Sequence, residues 1–164
     1  MSNEQFYHFE DDRSIPNNPR LPLIVYPGAF KENPESIEAA FNKNGWTNSW
    51  VDGVFDYHHY HSNTHEVLGV RSGSATIQFG GEQGEALQVF AGDVAVLPAG
   101  TGHKLLDSTD DFQVVGAYPG GAEPDKKLGK PEERPDVLEA ILDAPLPEKD
   151  PVYGNDGPLL TNWT

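Results

Sequence analysis

Four of the chain's six histidines, together with a glutamate, fall in the ten residues Tyr57 to Glu66, YHHYHSNTHE. Neutral imidazole and carboxylate are good ligands for first-row transition metals, and a set that leaves coordination positions open suits reactive ones. The chain has no cysteine, which removes thiolate sites, iron–sulfur clusters, disulfides and cysteine nucleophiles together. His59 and His61 are two apart, so on a strand they leave by the same face, with Phe55 and Tyr57. After a turn at Ser62-Asn63-Thr64, the next strand begins near His65, and on it Glu66, Leu68 and Val70 share a face. If these two strands pair as a hairpin, Glu66 lies beside His61. Much later, His103 opens another strand just after the turn PAGTG and is a candidate further ligand.

Other readings of these residues stay open. The bland one is a hydrogen-bonded polar network without metal. His58 falls on the opposite strand face and reads as an exterior or interface residue. His65 points away from Glu66 by parity, yet a bulge at the turn would swap it in and give a triad of His61, His65 and His103. His8 stands alone and reads as structural or exposed. Phe55, Tyr57, Phe112 and Tyr118 either line a pocket or fill a barrel interior. Tyr57, two residues before His59, is the best pocket candidate of the four.

Short β-rich runs must carry these groups. The pattern predicts strands near 49–61, 65–71, 74–80, 85–91, 93–98, 102–107 and 111–118, separated by Gly, Asp and Ser turns. Many short strands at close spacing predict an all-β sandwich or barrel. Before them, residues 1–20 read as an extended arm or edge strand leading into LPLIVY at 21–26, where the prolines argue against a central strand. NPESIEAAFNKNGW at 33–46 predicts a helix capped by Asn33, with Pro34 at its first position and Ile37, Ala40 and Phe41 on one face. Residues 135–143 predict a second short helix. The tail carries Val152, Tyr153, Leu159, Leu160 and Trp163, too apolar for a disordered segment, so it is expected to pack on the body. DDFQ at 110–113 and the EERPD run read as solvated charge. No repeat or domain boundary is visible. The expectation is one domain over 1–164: arm and helix at 1–46, barrel at 47–119, and C-terminal helix and tail at 120–164.

The spacings of the chemical residues resemble a known family. Gly53-x5-His59-x-His61-x4-Glu66-x6-Gly73 reproduces the first cupin motif, and Gly92-x5-Pro98-x-Gly100-x2-His103 the second. The family usually has an asparagine four residues after the last histidine; here it is Asp107, at a position that supports a turn rather than a ligand. The chain is similar to the small single-domain bacterial cupins of unassigned activity. The resemblance implies a jelly-roll β-barrel with one or two short flanking helices. It also implies His59, His61, Glu66 and His103 as ligands of a divalent transition metal: Fe, Mn, Ni, Co, Cu or Zn.

Composition narrows the partners. Eleven basic residues against 26 acidic ones give a net charge of −15, so nucleic acid and anionic membrane surfaces are expected not to be partners. No basic n-region or long apolar run occurs, and a cytoplasmic location is the default. There is no G-x-S-x-G elbow, and no helix follows the glycine turns to cradle a phosphate. Two function classes remain. One is a metal-dependent enzyme of the dioxygenase or isomerase type acting on a small molecule, with its catalytic residues unassigned. The other is a non-catalytic sensor or store that binds a small ligand or metal. A homodimer is expected from the resemblance and from the apolar arm and tail.

Overall fold

The computed structural model describes residues 3–164. Nine strands form two antiparallel sheets: β1 Gln5–Tyr7, β2 Leu23–Tyr26, β3 Trp46–Asp52, β4 Glu66–Ser72, β5 Ser74–Phe79, β6 Glu85–Phe90, β7 Val94–Leu97, β8 His103–Ser108 and β9 Gln113–Pro119. The larger sheet has the order β1-β2-β7-β4-β9-β3 and the smaller β6-β5-β8. Three helices flank them: α1 Ile37–Lys43, α2 Asp136–Asp143 and α3 Pro158–Asn162. This is the two-sheet jelly roll of the cupins. Among the described residues, no helix is long and apolar enough to cross a membrane.

Strand alternation divides the core into two layers. Leu23, Val25, Leu68, Val70, Ala95, Leu97 and Val114 face the smaller sheet, where they meet Ala75, Ile77, Phe79 and Val89. The intervening residues Ile24, Tyr26, Val67, Val94, Val96, Val115 and Ala117 face outward and are covered by Ile37 and Phe41 of α1 and by Leu159 and Trp163 of the tail. A sheet buried on both faces needs continuous apolar strands, which explains LIVY in β2 and VAVL in β7. Gly69 lets α1 approach: a Cβ there would stand 2.6 Å from Ile37 Cγ2.

Four sequence expectations are corrected. β2 is not an edge strand: it lies between β1 and β7, and Pro22 and Pro27 bracket it without removing a ladder donor. The predicted first helix divides into a 3-10 turn, Pro34–Ser36, and α1, with no capping bond from the Asn33 side chain. The strand expected over 49–61 ends at Asp52, and β3 pairs with β9 rather than with β4. Finally, EERPD is not simply solvated. Glu133 accepts from Tyr60 Oη at 2.6 Å and from the amides of Leu128 and Gly129, while Arg134 pairs with Asp11 through two 2.7 Å bonds.

The arm and tail pack on the body. The Trp163 indole donates to the Pro22 carbonyl at 2.9 Å. Asp150, fully buried, accepts from Tyr26 Oη at 2.7 Å and from the amides of Val152, Tyr153 and Leu159. Removing this acceptor leaves several buried donors without a partner. Asp150→Ala should therefore cost about 2–4 kcal/mol in urea unfolding. A loss near zero would show that the tail is not anchored there.

Candidate metal centre

Residues 53–65 leave the sheet and run across one end of the two sheets. They are held on one side by β8, through the reciprocal His59 and His103 backbone bonds, and on the other by the segment after β9, through a bridge between Tyr60 and Lys127. Asp125 ties this second side. Its carboxylate accepts the Ser62 amide at 2.7 Å and the Ser62 hydroxyl, while Asn63 bonds the Asp125 amide and the Glu123 carbonyl. The arm holds the loop before β8. Buried Asn17 bridges the Gly80 carbonyl and the Gly102 amide, and Asn18 donates to the Ala99 carbonyl. Gly100, at φ +94°, turns that loop and gives its amide to the His61 carbonyl at 2.8 Å. Nothing near Gly53 requires a glycine.

Three histidines are oriented in one way. Nδ1 of His59 lies 3.1 Å from the Tyr57 carbonyl oxygen, Nδ1 of His103 lies 3.1 Å from that of Thr101, and Nδ1 of His61 meets that of Asp125. A carbonyl oxygen only accepts, so each Nδ1 carries the proton and Nε2 of the neutral ring is a lone pair. His61 Nε2 and His103 Nε2 stand 3.2 and 3.3 Å from Glu66 Oε1. The ligand atoms of His61, Glu66 and His103 all lie within 4.8 Å of one another. Electron pairs thus converge on one point, a donor set that suits a proton or a cation. This His-His-Glu cluster could hold a metal. His59 stands beside it, its ring centroid 4.0 Å from that of His103 and 6.0 Å from that of His61.

The electrostatics follow the same geometry. Burial alone would raise the Glu66 carboxyl, but the His61 and His103 imidazoles outweigh it and hold the group below the usual carboxylate range. Burial alone would lower His61; the Glu66 charge and hydrogen bond overcome this and raise it. Burial, reinforced by His103, pushes His59 down to about 2.

The cluster forms the floor of a cavity of about 510 Å³ whose walls include Trp50, Val54, Phe55, Leu68, Tyr118 and Lys126. Phe55 and Tyr118 line it. Tyr57 sits behind, stacked on Phe55 at 5.0 Å and 5.7 Å from His59. Phe112 does not line it: the side chain lies in the core between the sheets. The Trp50 indole lies against Gly116, where a Cβ would collide with it, and donates to Tyr118 Oη at 2.8 Å. Burial, then the Glu66 charge, raises the Tyr118 hydroxyl above its usual range, so it keeps its proton.

His58 faces Glu82 at 3.3 Å, away from the cluster. His65 is buried under Trp163, its Nδ1 accepting the Ala99 amide at 2.9 Å, and burial pushes it down to about 4. It does not join His61 and His103. Sequence reasoning missed Asp125, Lys126 and Trp50. A register shift between Thr47 and Trp50 hides the last from parity counting. The first two sit in an irregular segment with no periodic signal.

The two sheets have a cupin-like jelly-roll arrangement, and the cluster is one that could hold a metal. The chain belongs to the same family as the "Uncharacterized protein YjlB" of Bacillus subtilis (strain 168), to which it is 52% identical over 159 residues, covering 97% of this chain and 96% of that protein. No family model matches. Similar solved structures include a TDP-quinovose 3,4-ketoisomerase from Campylobacter jejuni (14% identical, 57% of this chain and 75% of that one, TM-score 0.43). Another is an acireductone dioxygenase from Bacillus anthracis with a cadmium ion in its active center (20%, 58% and 64%, TM-score 0.37). A third is a Bacillus subtilis oxalate decarboxylase (20%, 65% and 24%, TM-score 0.36). The match spans less than two thirds of the dioxygenase and decarboxylase chains.

If the Asp125 clamp orients His61, Asp125→Ala should free the segment that supplies its acceptor. Imidazole NMR should then show the His61 Nδ1 proton, slow to exchange in the parent, broadened by exchange, with His103 unchanged. An unaltered His61 signal would dismiss the clamp.

Proposed function

We propose that the protein is a divalent-transition-metal cupin that acts as a metal-dependent enzyme, of the dioxygenase or isomerase type, on a small molecule. The observation that carries this reading is the convergence of inward Nε2 lone pairs and the Glu66 carboxylate at the floor of an open, largely apolar cavity. A storage site would be closed by protein ligands, whereas an enzyme needs an open position facing a pocket. His61, Glu66 and His103 would hold the ion, with His59 as the fourth ligand. Candidate metals are Fe, Mn, Ni, Co, Cu and Zn, since geometry and supply decide the occupant. Such an ion supplies Lewis-acid polarisation or oxygen activation.

The chain's own groups would do the rest. Carbonyls of Tyr57, Thr101 and Asp125 keep the three rings from turning. Tyr118 retains its proton and can donate it in a hydrogen bond to a substrate oxygen. Trp50, Phe55 and Leu68 exclude water from the bound face of the substrate. The proposal includes a cytoplasmic homodimer. The outer edge of β1, free among the described residues, and the exposed Phe6 within that strand support pairing between copies.

Elemental analysis of the untagged protein should find about one equivalent of transition metal, lost in His61→Ala. No metal after reconstitution would end this reading. The raised His61 must lose a proton to ligate, so metal affinity should fall as the pH drops through the imidazole range. A chelator competition showing tight binding at lower pH would exclude this ligand set.

A further inference from the structure

Among the described residues, Lys126 is the one lysine or arginine on the wall of the cavity. Among the described residues no carboxylate lies within ion-pairing distance of its amine, although the chain has 26 acidic residues against 11 basic ones. The amine instead stands 4.4 Å from the Phe55 ring centroid and 5.1 Å from that of Tyr57, and donates to Tyr57 Oη at 2.6 Å. Aromatic faces and a phenol hold an ammonium in place without cancelling its charge, as a carboxylate would. The shelf also fixes its position relative to the cluster. Phe55 stacks on Tyr57 and meets the His59 ring edge-on at 5.2 Å. The backbone of Lys126 follows directly on Asp125, whose carbonyl accepts the hydrogen bond from His61 Nδ1. The wall carboxylates are already engaged: Asp125 by Ser62, Glu66 by the histidines, and Asp52 by the Gly53 amide.

We propose that Lys126 is the anion-recognition residue of this cavity and that its ligand is a small organic carboxylate with an apolar, planar body. The carboxylate would pair with Lys126, and the body would lie against Trp50, Phe55 and Leu68 towards the histidine cluster. One ammonium matches one carboxylate, and with Asp52, Glu66 and Asp125 also on the wall the cavity does not suit a diphosphate. The inference rests on reading the cavity as the ligand site of the proposed metal centre.

The test is calorimetric titration of the protein as isolated with phenylpropionate and with its uncharged amide, phenylpropionamide. The carboxylate should bind about tenfold more tightly than the amide, a difference of about 1.4 kcal/mol. Lys126→Met should abolish this preference, Lys126→Arg should restore most of it, and added salt should weaken it. Equal binding of the two probes, an undiminished preference in Lys126→Met, or no binding of either at about millimolar concentration would overturn the proposal. Metal content measured on the same samples separates the two readings. A Lys126-dependent preference in protein that takes up no metal even after reconstitution sustains this proposal while removing the metal one.

Discussion

A carboxylate buried among imidazole lone pairs is the constraint to which the rest of the molecule answers. Taking Glu66 out of water costs several kcal/mol unless positive charge and hydrogen bonds compensate it. The nearest groups, Nε2 of His61 and of His103, offer electron pairs rather than protons while their Nδ1 atoms donate to carbonyls. Inward lone pairs beside a buried carboxylate make a donor set that could hold a cation. Each carbonyl that fixes a ring is itself fixed, that of Asp125 by the Ser62 and Asn63 bonds and that of Thr101 by the loop pinned to Asn17 and Asn18.

The sheets supply the stiffness. Glu66 opens β4, which lies between β7 and β9 in the larger sheet, and Leu68 and Val70 continue its face into the core. Covering the outer face with α1 and the tail leaves little freedom for β4 to shift register, because a one-residue slip would turn Glu66 into the apolar outer layer. The proline-rich arm and the segment after β9 serve as the braces of the site. The buried asparagines of the arm pin the loop before β8, and the Asp125 carboxylate ties residues 53–65, which lack a regular ladder.

Much of the fold was legible. Six strands from β4 to β9 fall within about two residues of the ranges read from alternation and glycine turns, an ordinary boundary error. The reading failed where a local rule met tertiary context. LPLIVY was demoted by its prolines, although both flank the strand and leave its ladder intact. Continuing the strand from 49 to 61 ignored that pairing partners end it: β9 accompanies β3 only to Asp52. The convergence of His61 on Glu66 was anticipated through a hairpin that does not exist. It arises instead because His59 bridges to His103 while β4 enters from the other sheet.

Residue type and spacing alone determined the chemistry on offer: imidazoles two apart, a carboxylate five residues after the second, a distant histidine after a glycine turn, and no thiolate. They also determined the layered apolar pattern, because alternation in a strand is local geometry. Only the tertiary structure decided the rest. It gave each Nδ1 a carbonyl, placed His65 under Trp163 instead of in the cluster, sent Phe112 to the core, and brought Asp125 and Lys126 to the cavity. Those outcomes depend on contacts between segments far apart in the chain, whose pairing is chosen by the packing of the whole molecule and leaves no local period to read.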